Sequence, residues 1–273
     1  MEGFRVFMKK NMKKTSFLVC IILCGVFAIF LSKKYCGSKP VIYAKVIAKK
    51  AESLLESDTI NWADFDIKLK PMGGNYPQIC REAKNKRKWL ASKEVSEIGG
   101  YFETMLMDEI IPFWYGTKWD FYGHTDTPGV GEVACGYFVS TTLQHIGVGV
   151  NRYQLAQQTP ENEAISLAAD GEVIEVSGES SSENLAQIKK AVGDGICFVG
   201  LGRSHVGYLL KRKEELFFIH SSYFSPRAVI IELASKSPVF CAYDKYYIVE
   251  LSNNKAFVQR WLNNESIEVI KNQ

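Results

Sequence analysis

The hydrophobic pattern changes period near Gly195. Before it, apolar residues recur at helical spacing; after it, they fall into short β-like runs. Val46, Ile47, Ala51, Leu54 and Leu55 predict a helix over 43–55, and a second is expected from Ile79 to Leu90. Between them, Pro71, Gly73, Gly74 and Pro77 mark a loop. A third helix starts at the N-cap candidate Ser92. It carries Val95, Ile98, Phe102, Met105, Leu106 and Ile110 on one face, and Pro112 should end it. Phe138, Val139, Thr142, Leu143 and Ile146 give a helix directly after Cys135, stopped at Gly147. Short helices are expected over 153–158, 161–169, 183–192 and 255–263. Candidate strands span 196–201, 205–211, 216–220, 228–233 and 246–251, and the charged turn at 211–215 suits a hairpin. Helices first and an antiparallel sheet second read as α+β.

The N-terminus adds a separate region. Arg5, Lys9, Lys10, Lys13 and Lys14 precede an uncharged apolar run from Phe17 to Leu31, and Lys33 and Lys34 follow it. As a helix the run would span roughly 22 Å, short of the ~30 Å hydrocarbon core. A cleaved secretory signal and an uncleaved signal-anchor both fit. The leading positive charge puts the following domain outside, so an extracytoplasmic protein, membrane-anchored or secreted, is expected. The chain then divides into 1–37 (signal or anchor with linker), 38–105 (helical N-terminal region) and 106–273 (C-terminal domain).

Composition is that of an ordinary globular protein, 47% hydrophobic and 23% charged over 273 residues. The net charge of +3 is too small and dispersed for nucleic-acid binding, and Lys84 to Lys88 reads as a solvated helix face. Seven cysteines form no CxxC pair. Cys197 and Cys241 lie in β-like apolar runs, where a free cysteine acts as a small buried residue, and no disulfide framework is expected.

The chemistry-bearing residues are Cys135, His205 and His220. Gly131 and Gly136 bracket Cys135, which permits a sharp turn and close approach by a ligand. The helix after it would put the sulfur at a helix N-terminus, where the dipole and free N–H groups favour thiolate and could form half of an oxyanion hole. His205, in SHVGYLL, and His220, in FFIHSS, occupy successive strands as facing residues. In that arrangement His205 deprotonates the thiol and His220 holds the His205 ring in its tautomer. The loop WYGTKWDFYGHTDTPGVGEVACG, from Trp114 to Gly136, carries more aromatic rings than a connection needs. His145 suits the C-terminal end of its helix.

These strings resemble the NlpC-type cysteine peptidases of the papain-like superfamily. HVGYLL resembles the family's base-bearing strand, FFIHSS the strand of its third polar residue, ACGYFV its nucleophile motif, and FWYG (Phe113 to Gly116) its upstream aromatic-glycine element. Ala134 and Gly136 stand where the family has aspartate and serine. The resemblance implies a papain-like fold, no cofactor or metal, and amide hydrolysis in peptidoglycan stem peptides or a related peptide. It also implies a tyrosine in the oxyanion site. Counting back from Gly116 reaches Phe113, so Tyr115 or Tyr122 is the nearest substitute, with Trp119, Asp120 and His124 lining the cleft. Two other readings use the same residues: a non-catalytic envelope binding module, and a zinc site from Cys135, His205 and His220, with or without His124.

Overall fold

The computed structural model describes residues 60–90 and 95–271. The apolar run at 17–31, the helix expected over 43–55 and the N-cap candidate Ser92 lie outside the described residues. Among the described residues no helix is long and apolar enough to cross a membrane.

The fold is α+β. Helix α1 is Tyr76–Leu90, and α2 is Val95–Thr104. Helical structure continues from α2 through a π-helical segment, Met105–Ile110, into the short α3, Ile111–Trp114. Pro112 therefore opens a last turn, where its missing N–H costs nothing, instead of ending the helix. After the aromatic loop come α4 (Cys135–His145), α5 (Arg152–Ala156) and α6 (Pro160–Ala168). Strand β1 (Ile174–Ser177), which the pattern did not predict, precedes α7 (Ser181–Ala191). Strands β2 (Gly195–Leu201), β3 (His205–Arg212), β4 (Glu215–Ser221), β5 (Val229–Leu233) and β6 (Lys245–Glu250) follow, and then α8 (Lys255–Asn263). The six strands form one antiparallel sheet in the order β1-β6-β2-β3-β4-β5.

Alternation along the strands sends side chains to two cores. Cys197, Val199, Leu201, Leu209, Phe218 and Ile248 pack with Leu185 and Ile188 of α7. Tyr208 points the other way and meets Phe138 of α4, ring centroids 5.8 Å apart. The Tyr208 hydroxyl is bonded to Thr142 Oγ1 at 2.7 Å and donates to the Val139 carbonyl at 3.0 Å. These bonds lock α4 onto β3 at one register, which sets the sulfur's position relative to the histidine strand. The basic segment 84–88 is not wholly solvated. Arg87 turns inward and donates to the carbonyls of Gly147 and Trp261, tying α1 to the ends of α4 and α8.

Candidate active site

Cys135 is the first residue of α4. Ala134 occupies the N-cap with no side-chain cap bond, so the first amides of the helix stay available to the sulfur. An aspartate there would take those N–H groups and set a negative charge beside the thiol. Gly136 is required by packing. A Cβ on it would lie 2.8 Å from the Ala156 carbonyl oxygen, so a serine would push α4 off α5.

The two histidines meet diagonally, not as a directly facing pair. The β3–β4 ladder runs from Arg212–Glu215 to Tyr208–Ile219, which brings Gly207 alongside His220. A Cβ on Gly207 would sit 2.9 Å from the His220 Cβ, so this glycine clears the space in which His220 reaches His205. His205 Nε2 and His220 Nδ1 are 2.7 Å apart, with the ring planes at 90°. His220 is stacked on Phe218 at 4.0 Å, and both histidines are buried. Beyond them, His220 Nε2 lies 3.3 Å from Glu232 Oε1 on β5.

Because Nε2 of His205 is committed to His220, Nδ1 is the nitrogen left for the cleft. His205 and Cys135 line one open cleft of about 1020 Å³. The backbone amide of Val206, next to His205 in the chain, is near enough to the Cys135 sulfur to favour its thiolate. Ser221 Oγ, adjacent to His220, donates to the Val133 carbonyl at 2.7 Å and fixes the strand against the approach to Cys135.

The charge states differ from the sequence expectation. Burial pushes the Cys135 thiol up to about 11, outweighing the amides of Val206, Gly136 and Cys135, which pull it down. Burial also holds His205 well below the ordinary histidine range, reinforced by His220, and drops His220 to about 3. Both shifts favour a neutral thiol and a neutral imidazole at rest. Desolvation of the sulfur beats the helix terminus, whose contribution is about 1 kcal/mol.

The aromatic loop is anchored at both ends. Gly116 and Trp119 donate backbone hydrogen bonds to Val229 and Arg227 at the start of β5, and buried Arg152 holds the carbonyls of His124 and Thr125. Trp119 and Tyr122 line the cleft with Phe121. Asp120 and His124 do not; they line a separate groove with Tyr122, and the His124 ring packs against the cleft residue Tyr137 at 5.9 Å. Asp120 caps the turn by accepting from the Tyr122 amide at 2.8 Å, and His124 Nδ1 is bonded to the Tyr122 carbonyl. Tyr115 lies outside the cleft, its hydroxyl buried without a partner. His145 binds the Tyr76 hydroxyl through Nδ1 at 2.8 Å, in a structural cluster with Trp114.

Three cleft residues have no counterpart in the sequence reading. Tyr223, just past β4, sets its ring edge-on to His205 at 5.2 Å and lines the cleft with Tyr243 and Cys135. Its position straight after FFIHSS was the available signal. Arg227, beside the cleft mouth, stacks on Trp119 at 4.6 Å. Glu163 of α6 is 2% exposed on the cleft wall, and its Oε2 has no hydrogen-bond partner. Burial raises its carboxyl well above the usual range. The folded protein therefore keeps a proton that the unfolded chain releases above pH ~4.3, and stability falls as pH rises through that window. Glu163→Gln removes the linkage. Its stability should exceed wild type by a margin that widens from pH 5 upward, at up to about 1.4 kcal/mol per pH unit, read as a growing difference in melting temperature. A margin independent of pH would mean that Glu163 is ionised in the fold.

No family model, curated protein or solved structure matches this chain. The functional reading therefore stands on the geometry.

Proposed function

We propose that this chain is an extracytoplasmic thiol hydrolase of the papain-like, NlpC-type class, cutting an amide bond in peptidoglycan stem peptides or a related peptide. The observation that carries the reading is Cys135 at a helix N-terminus, sharing a cleft with a His205 ring held by His220 at 2.7 Å. As substrate binds, His205 Nδ1 takes the thiol proton and the sulfur attacks the carbonyl carbon. The oxyanion so formed lies within reach of the first amides of α4, with the Tyr223 hydroxyl as the side-chain donor. His205 then returns the proton to the departing amine, leaving a thioester on Cys135. Water, deprotonated by the same nitrogen, releases the acid and restores the thiol.

A neutral resting pair has a pH signature. Iodoacetamide should label Cys135 slowly at pH 7, and the rate should rise about tenfold per pH unit toward a plateau near the thiol value of about 11. Cys197, 1% exposed, should stay unlabelled throughout. A Cys135 rate already at its plateau by pH 7 would mean a preformed thiolate–imidazolium pair. Hydrolysis, by contrast, should persist well below pH 6.5, because burial keeps His205 unprotonated there.

A further inference from the structure

The histidine pair continues into a carboxyl group that the proposed chemistry does not itself use. Glu232 Oε1 accepts the Ser237 hydroxyl at 2.5 Å and lies 3.3 Å from His220 Nε2. Ser237 is fully buried, and its oxygen accepts the Phe240 amide at 2.9 Å, so the hydroxyl is aimed at Glu232 by a fixed 3₁₀ turn. Donor and acceptor roles then follow by elimination along the chain. Oε1 already accepts the Ser237 hydroxyl, and a carboxyl oxygen that accepts offers His220 no hydrogen. His220 Nε2 must therefore carry a hydrogen, which leaves His220 Nδ1 bare. A bare Nδ1 can only accept, so His205 Nε2 carries the hydrogen that spans the 2.7 Å bond. His205 Nδ1, the nitrogen left for the thiol, ends up unprotonated. The opposite assignment would set the bare His220 Nε2 lone pair against the carboxylate and put the proton on the wrong side of His205.

We infer that Glu232 is a positioning residue, acting through His220 to hold both histidines in the Nε2–H tautomer that leaves His205 able to accept the thiol proton. Its effect on turnover rests on the hydrolase reading, but the tautomers do not. Burial raises the Glu232 carboxyl and the Ser237 hydroxyl lowers it, so the group depends on Ser237 to remain an acceptor. The sequence could not show this, because Glu232 reaches His220 only through the antiparallel pairing of β4 with β5, in which Ile230 is the residue opposite His220.

The test is nitrogen NMR of the full chain labelled at histidine, at pH 7.5, where the two neutral tautomers give distinct ring shifts. Wild type should show His205 and His220 both protonated at Nε2. Glu232→Gln, which keeps an acceptor oxygen, should retain that pattern. Glu232→Leu should lose it and lower kcat by roughly 10–100-fold with KM unchanged, the scale seen when the partner orienting a functional histidine is removed. A wild-type spectrum with His220 protonated at Nδ1 overturns the inference without any variant or turnover. So does a folded Glu232→Leu protein with wild-type tautomers. Correct tautomers in a protein without hydrolase activity would overturn the proposed function and leave the Glu232 role standing.

Discussion

Cys135→Ala should lose about a million-fold in amide turnover, the loss seen when one member of a catalytic unit is removed. The fold should barely register the change. Cys135 is half-buried at the first position of α4, and alanine is a good helix residue there. The helix is held by the Tyr208 bonds to Thr142 and Val139 and by the seat of Gly136 on Ala156, none of which involves the sulfur. A melting shift within about 2–4 °C, worth ~1 kcal/mol, is expected. The comparison is of initial rates and melting curves on the same preparations. Turnover retained in the variant removes Cys135 as nucleophile.

The second large effect separates the histidines. His205→Gln should be as inactive as the cysteine variant, because an amide cannot take the thiol proton. His220→Gln should keep measurable activity, since its side-chain oxygen can accept from His205 Nε2 as His220 Nδ1 does at 2.7 Å. His220→Ala should fall much further, toward the about ten-thousand-fold cost of a wrong tautomer in a serine protease triad. It also loses the stack on Phe218, so its melting temperature must be measured beside its rate. The expected order is wild type, His220→Gln, His220→Ala, His205→Gln. A His205→Gln protein more active than His220→Gln would reverse the two roles. Near-normal rates in all three would put the base elsewhere.

Much of the scaffold was legible because its signals are local. The change of period at Gly195 located the sheet, and every predicted strand lies within a residue or two of the observed one. The Cys135 helix was readable from its apolar stripe and its stop at Gly147, which adopts φ +90°. The short β1 was missed because four residues carry little alternation, and its existence depends on pairing with β6. The continuation of helix through Pro112 depends on a π-helical segment that no propensity encodes.

At the candidate site, strand order and chain order brought Cys135, His205 and His220 to view. What they left out was register and burial. A two-residue offset turned a facing pair into a diagonal one that needs Gly207. The upward push on the thiol comes from burial by the surrounding fold, not from its neighbours in sequence. Of the loop residues, Trp119 and Tyr122 reach the cleft, while Asp120 and His124 line a separate groove and Tyr115 lies outside the cleft with its hydroxyl buried. The loop's path is set by long-range bonds to Arg227, Val229 and Arg152. Glu163 and Glu232 enter only through such long-range packing.

The most direct measurement is digestion of purified bacterial sacculi by the wild-type protein and by Cys135→Ala, with released fragments identified by mass spectrometry. The account predicts that wild type alone releases fragments, each cut at an amide bond with one new amine and one new carboxylate. Binding to sacculi without any cleavage by wild type, or equal release by both proteins, would contradict it.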